Sequence, residues 1–257
     1  ANVAAAETLI AKRRPLLFRV HEEPSREKLD ALRETAIASG FPLAKGQVLQ
    51  TRHLNALLNA AAGSEFAELI NLSTLRSMQQ AYYNAENFGH FGLALKSYAH
   101  FTSPIRRYAD LIVHRALISA HGWGKDGLSD LEIEQLDETA VLISDTERRS
   151  MTAERDTTDR YLAAYLSERV GSEFSGRISG IARFGAFVKL DETGADGLLP
   201  MRALGQEYFH HDVESQTLVG SQSGMVIALG QRVVVKLSEA VPITGGLTLE
   251  LVSIDGQ

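Results

Sequence analysis

The densest run of chemistry-bearing side chains is Thr102-Ser103-Pro104-Ile105-Arg106-Arg107-Tyr108: two hydroxyls, two guanidinium groups and a phenol in seven residues. Ser as an N-cap with Pro at the first helical position predicts a helix starting at Ser103-Pro104. Apolar Ile105, Leu111, Ile112 and Leu117 follow, and the helix should run to about Ala120. A helix N-terminus presents unpaired backbone N–H groups at the positive end of the peptide dipoles, so it favours an anion. Arginine's planar fork suits bidentate contact with phosphate oxygens. A phosphate clamp built from Thr102, Ser103, Arg106, Arg107 and Tyr108 therefore fits these types and this spacing. The same residues also admit a purely structural reading. Ser103 is then an ordinary cap worth about 1 kcal/mol, and Arg106 or Arg107 pairs with Asp110 one turn on. From residue types alone this second arrangement is the commoner. Asp110 and His114, also one turn apart, could in principle share a metal, but an ion pair or a surface histidine is the more frequent outcome of that spacing.

The elements that must position these groups fall into two textures. Ala1 to Lys12 reads as a helix with no capping residue ahead of it, so the chain is expected to begin inside a domain. Arg26–Ser39 carries Leu29, Leu32, Ala36 and Ile37 at helical spacing, with Gly40 where a left-handed cap belongs. Further helices are predicted at Leu54–Ala62 and Glu65–Met78, broken by Gly63-Ser64 with Ser64 as a possible cap. Asn84–Lys96 reads as a loop. His121-Gly122-Trp123-Gly124 is a turn, Ser129 or Asp130 can cap an acidic helix, and helical periodicity runs from about Thr139 to Arg169 before Gly171. Beyond it lie five short strands, Ser175–Ala182, Gly185–Leu190, Gly197–Met201, Arg232–Ser238 and Gly246–Ile254. Five strands in so short a span suit a small Greek-key barrel of the oligonucleotide-binding class.

Composition narrows the function classes. The chain has no cysteine among its 257 residues, which excludes disulfides and cysteine zinc sites and is compatible with a reducing cytoplasm. No apolar run approaches a membrane span, and no secretion signal opens the chain, so a cytoplasmic protein without a membrane role is expected. The net charge of −6 argues mildly against a general polyanion binder, but it is unevenly spread: +4 through Ala120, −6 from His121 to Val170, and −4 thereafter.

The string His100-Phe101-Thr102-Ser103-Pro104-Ile105-Arg106-Arg107-Tyr108-Ala109-Asp110-Leu111-Ile112-Val113-His114-Arg115 resembles the signature of the ribonuclease II/ribonuclease R (RNB exoribonuclease) catalytic domain. Asn87-Phe88-Gly89-His90-Phe91-Gly92-Leu93 resembles the segment before it, and Met151-Thr152-Ala153-Glu154-Arg155-Asp156 a further family segment. The resemblance implies processive, magnesium-dependent hydrolysis of single-stranded RNA from the 3′ end to 5′-nucleoside monophosphates. It assigns catalytic roles to Arg106, at the phosphate beside the scissile bond, and to Glu154, near the RNA 3′ end. The family's clustered metal-binding aspartates have no counterpart here, so no residue is expected to hold metal, and the chain alone is expected not to cut. Two-metal hydrolysis needs several carboxylates.

In the second half, Gly176-Arg177-Ile178, Arg183-Phe184-Gly185-Ala186-Phe187-Val188 and Asp196-Gly197-Leu198-Leu199 resemble the S1 RNA-binding domain. In that fold Phe184 and Phe187 stack bases, while Arg177, Arg183 and Lys189 can follow the RNA backbone. The alternative makes the phenylalanines core residues, since three apart around a turn they need not share a face. Pro200 stands where the domain usually has histidine, and an Asp and an Arg are missing around Ala240 and Gly246, which lowers the RNA affinity expected of this barrel. Glu207–Asp212 through Leu218-Val219-Gly220, and Leu229–Val233, resemble the ribonuclease R branch, and the His210-His211-Asp212 cluster is read as an exposed loop rather than a metal site.

The expected fold class is thus α+β. Residues 1–170 form the mainly helical C-terminal part of an RNB catalytic domain, and residues 171–257 a five-stranded OB-fold (S1) barrel. No protein partner follows from the sequence. The rival reading is a non-catalytic RNA-binding or scaffold protein derived from such a nuclease.

Overall fold

The structure, a computed structural model, describes residues 1–43, 49–64, 66–205, 207–212 and 217–254. Their contacts divide the chain into two units, one of 1–30, 43–57 and 76–150, the other of 31–42, 58–75 and 151–257. The fold class is the expected mixture of helices and a closed five-stranded barrel. Among the described residues no helix is long and apolar enough to cross a membrane.

The first unit is organised by α5 (Tyr108–His121). Its Ala109, Ile112, Val113, Ala116 and Leu117 are buried at i, i+3, i+4 spacing, the pattern that gives a helix an apolar stripe. One edge of that stripe packs through Val113, Ala116 and Leu117 on Ala5, Ala6 and Leu9 of α1 (Asn2–Ala11). The other edge packs through Ala109 and Ile112 on Leu17, on Tyr83 and on Leu136 and Ala140 of the long α7 (Leu136–Ser167). Two short strands, β1 (Phe18–Val20) and β2 (Tyr82–Asn84), pair antiparallel with Arg19 opposite Tyr83. Helix α6 (Asp130–Glu134) starts at Ser129 with a reciprocal capping box to Glu132, which also accepts from Arg115. Helix α5 stops where expected, at Gly122 in the left-handed region.

Its start is not where expected. Ser103 is no N-cap and Pro104 is not the first helical residue: Ser103 to Arg106 form a separate turn, closed by the Arg106 and Arg107 N–H groups donating to the Ser103 carbonyl. Arg107 is extended (φ −127°, ψ 116°) and the helix begins at Tyr108. Ile105, expected on the apolar face, is fully exposed. The reason lies at Asp110, whose buried carboxylate draws the Ser103 N–H and the Arg107 guanidinium onto itself and folds the turn back.

Three other helices match their predicted segments closely. α2 (Arg26–Ala38) ends at Gly40 with φ +80°, while α3 (Thr51–Ala61) and α4 (Ala67–Ser77) flank Gly63. Glu65 lies outside the described residues. Among the described residues the Ser64 side chain makes no capping bond to α4; its hydroxyl donates back to the Ala61 carbonyl.

In the second unit the barrel runs β10-β5-β4-β3-β9 and closes through β9–β10. Its strands are β3 (Glu173–Ala182), β4 (Gly185–Leu190), β5 (Asp196–Pro200), β9 (Arg232–Val241) and β10 (Gly246–Ile254). Alternate residues Phe174, Ile178, Ala186, Val188, Leu190, Leu199, Val233, Val235, Leu237, Leu247 and Leu249 fill it, joined by Ala163 and Leu166 of α7. Between β5 and β9 the chain makes a three-stranded sheet that sequence reading passed over: β6 (Phe209–Asp212), β7 (Thr217–Gly220) and β8 (Val226–Ala228). His210-His211-Asp212 is therefore strand, not loop, with Phe209 buried at its start.

The β3–β4 turn depends on Gly185. Its φ is +150°, and a Cβ there would stand 2.3 Å from the Leu199 carbonyl oxygen. Gly185→Ala is expected to destabilise the barrel by about 2 kcal/mol or more, measured as a shift of the urea unfolding midpoint. A midpoint unchanged from the parent would show that this approach of β4 to β5 is not tight in solution.

Candidate functional site

Asp110 has no solvent exposure. One oxygen accepts from the Ser103 N–H at 2.7 Å and from Arg107 Nη2 at 2.9 Å, and the other accepts from Arg107 Nε at 2.8 Å. A buried carboxylate is tolerated only when charge and hydrogen bonds compensate its lost hydration, and here all three donors come from the turn it anchors. This realises the structural reading for Arg107. Its fork is engaged by Asp110, so it serves first as a strut. Arg106, by contrast, is exposed, and its guanidinium forms no ion pair or hydrogen bond among the described residues. Thr102 and Tyr108 are exposed beside it, and Ser103 is half-buried. The turn thus locks one arginine and presents the other.

His114 does not meet Asp110. Its Nε2 faces the Phe101 carbonyl at 2.8 Å and its ring stacks on Phe101 with centroids 4.2 Å apart. Among the described residues no group of three or more His, Asp or Glu side chains is placed to hold a metal ion.

Behind the turn runs a network to which sequence reading gave no role. Arg19 of β1 is held bidentate by Glu147 of α7, at 2.5 and 2.9 Å, and its guanidinium lies 4.7 Å from the centre of the Tyr83 ring. The Tyr83 hydroxyl meets His100 Nδ1 at 2.9 Å. His100 contacts Tyr98 edge-on, Tyr98 contacts His90 in the same way, and His90 stacks on His21. Burial pushes the Tyr83 phenol up to about 12, so it keeps its proton. Burial, then the Arg107 and Arg19 charges, push His100 down to about 4; burial, His21 and Arg19 do the same for His90. Both rings are neutral near neutral pH. No local signal announces this network, because its members are brought together from β1, β2, α7 and the segment before the turn.

In the second unit, Glu154 is exposed on a stretch of α7 whose residues from Met151 to Thr158 are all exposed. Its side chain has no partner among the described residues; only its carbonyl is used, by Thr158 Oγ1. On the barrel, Phe187 faces outward from β4 and Phe184 sits in the turn before it, 37% and 53% exposed. Their rings meet edge to face at 6.0 Å, so neither is a core residue. Across the outer face Lys189 stands opposite Arg177, and Arg177 opposite Arg232, a cation that sequence reading had not singled out. Arg177 Nη1 also donates to the Gly230 carbonyl at 3.3 Å, and Arg183 is exposed beside Phe184. Asp196 stands opposite Lys189 and accepts from Ser179. Facing positions of an antiparallel pair share a face, so the barrel offers adjacent cations next to two exposed rings. That is the composition of a surface for stacking bases and tracking phosphates.

Comparison with known proteins places these features in context. Residues 1–121 match the RNB domain and residues 167–240 the S1 RNA binding domain. Ribonuclease R of Escherichia coli (strain K12) is 39% identical over 245 residues, covering 92% of this chain and 30% of that protein. The chain thus spans about a third of the length of the curated relatives it matches. Mycoplasma genitalium RNase R in complex with ribose methylated single-stranded RNA superposes with a TM-score of 0.88 at 32% identity, covering 98% of this chain and 40% of that one. Yeast Ssd1, a pseudonuclease, shares the fold with a TM-score of 0.65 at 17% identity, covering 93% of this chain and 28% of that one.

Two outcomes follow from the charges. Asp110→Ala removes the only carboxylate of the Arg107 pair and should destabilise the chain by about 2–3 kcal/mol, less than a fully buried pair because Arg107 is partly exposed; urea titration measures it. The depressed histidines give a pH dependence of fixed sign. The unfolded chain takes up protons as the pH falls below 6.5, whereas the folded chain resists to about 4. Their contribution is complete above 6.5 and is lost on descending to about 4, and His100→Gln or His90→Gln should flatten that part of a stability–pH curve.

Proposed function

This chain belongs to the ribonuclease II/ribonuclease R family, and on that premise we propose that it supplies the RNA-gripping part of a cytoplasmic 3′-to-5′ exoribonuclease that releases 5′-nucleoside monophosphates. The observation that carries the reading is the Asp110-anchored turn, which leaves Arg106 exposed and unpaired among the described residues while Arg107 is held. A guanidinium fixed on a rigid turn can contact a phosphate in two places without first ordering its own backbone. Its role is to neutralise charge that grows on the phosphoryl oxygens as the bond breaks. Thr102, Ser103 and Tyr108 border that phosphate, and Glu154 is assigned to the RNA 3′ end. The S1 barrel holds the single strand through Phe184 and Phe187, with Arg177, Arg183 and Lys189 along its backbone.

Magnesium, implied by the family, does not fit the residues present. Asp110 is engaged by Arg107, His114 faces a carbonyl, and among the described residues no group of three or more His, Asp or Glu side chains is placed to hold a metal ion. We assign the metal ligands to parts of the whole protein that this chain does not contain, and no step of hydrolysis to metal held here. The same observation supports the second reading, a non-catalytic RNA-binding protein.

The test has two arms. The purified chain should bind labelled single-stranded RNA, lose roughly 1–3 kcal/mol of binding free energy per stacked base in Phe184→Ala and Phe187→Ala, and release no nucleotide with magnesium. Nucleotide release by the pure chain would overturn the assignment of the metal ligands. In the whole protein, Arg106→Ala should slow single-turnover hydrolysis on the order of 100-fold with a much smaller loss of affinity. Equal losses in rate and affinity would remove Arg106 from the chemistry, and a whole protein that never hydrolyses RNA would favour the second reading.

A further inference from the structure

His100 ends the network behind the turn, two residues before Thr102, and its second ring nitrogen is unaccounted for. Tyr83 is 5% exposed and its hydroxyl has one hydrogen-bond partner among the described residues, His100 Nδ1. The direction of that bond follows from which atom would otherwise be stranded. If Nδ1 carried the hydrogen and donated it, the phenol's own hydrogen would be left in a buried position without an acceptor. The phenol therefore donates to Nδ1, and a neutral imidazole whose Nδ1 accepts must carry its hydrogen on Nε2. That nitrogen has no partner among the described residues, yet it is not one of the buried polar atoms left unsatisfied, so it reaches solvent. The ring is held by two residues: Tyr83, through its hydroxyl at Nδ1 and its ring edge-on at 5.6 Å, and Tyr98 edge-on at 5.7 Å. Arg19 and Glu147 brace Tyr83 from behind. With Nδ1 taken by Tyr83, Nε2 is the ring nitrogen left to meet a ligand, and His100 stands two residues before the Thr102–Tyr108 run that presents Arg106.

We propose that His100, locked by Tyr83 in the Nε2–H form, donates a hydrogen bond to a phosphate oxygen of single-stranded RNA at the Arg106 turn. This rests on the reading of that turn as a phosphate clamp. A neutral donor there adds direction to a contact whose charge comes from arginine, and because it carries no charge it does not repel Arg107.

Two measurements on the full chain test it, with a fluorescein-labelled oligouridylate as probe. Histidine ring ¹H–¹⁵N spectra should show His100 as the Nε2–H tautomer in the free chain and move its signals when the oligonucleotide is added. By fluorescence anisotropy, His100→Ala should weaken binding about five- to tenfold. His100→Gln, which puts an amide N–H near the Nε2 position, should recover most of the loss. Tyr83→Phe should weaken binding by a smaller factor, since it frees the ring to adopt either tautomer. The Nδ1–H tautomer, or His100 signals that stay put at saturating RNA while Arg106→Ala still weakens binding, would overturn the role of His100 and leave the clamp standing. If Arg106→Ala and His100→Ala both bind as the parent does, the clamp reading fails and the proposal falls with it.

Discussion

A carboxylate withdrawn from water has to be compensated where it stands, and Asp110 meets that demand by gathering the Ser103 N–H and two Arg107 nitrogens. The placement of both arginines of the turn follows from that. Because Arg107 is drawn inward, it cannot extend the helix, and α5 starts at Tyr108. Because the backbone at Ser103 is drawn in too, the intervening residues close on themselves as a turn, and Arg106 is left facing outward. One arginine serves as the fastener for the other. The arrangement is rigid because its anchor is desolvated, and a desolvated ion pair loses far more on being half-broken than an exposed one does.

The anchor in turn depends on packing. Asp110 sits on the buried side of α5, between Ala109 and Ile112, and that side is pressed on Leu17, Tyr83 and Ala140. The same contacts set the distance from Tyr83 to His100, so one apolar interface fixes both the guanidinium turn and the histidine beside it. Arg19 and Glu147 add charge beside this layer, the guanidinium lying over the Tyr83 face while the partly exposed carboxylate holds its fork. Cation–π contact and a bidentate pair are compatible at one arginine because the first uses the plane of the group and the second its edge.

The barrel works by a different division of labour. Strand alternation sends Val188 and Leu190 inward and Phe187 and Lys189 outward, so a single strand supplies both core and the exposed ring and cation of the outer face. Gly185 makes the sharp turn before it possible, bringing the β4 backbone against β5. Pro200 ends β5 opposite that glycine, so this edge of the face contributes no polar side chain at that position. The cations that remain, Arg177, Lys189 and Arg232, come from three adjacent strands and lie side by side only because the barrel register aligns them.

The sequence alone carried whatever is decided within a few residues or by a strict period. Helix stops at Gly40 and Gly122, the Ser129 cap and the five barrel strands are local consequences of backbone freedom and side-chain alternation, and they stand where those rules put them; of the apolar residues expected to bury α5, Ile112 and Leu117 do so, whereas Ile105 and Leu111 are exposed. The Thr102–Tyr108 and S1-like strings identified which residues to weigh. Tertiary structure decided how they are used. A Ser-Pro helix start was overridden by the demand of a buried carboxylate seven residues on. The strands β6 to β8 are short and polar at several positions, and they became strands by pairing with one another and seating Phe209, Leu218 and Ile227 in the shared core. The Glu147–Arg19–Tyr83–His100 chain joins residues up to 128 positions apart, and no local pattern encodes such a meeting. It exists because desolvation makes each of these polar groups seek a partner wherever packing brings one within reach.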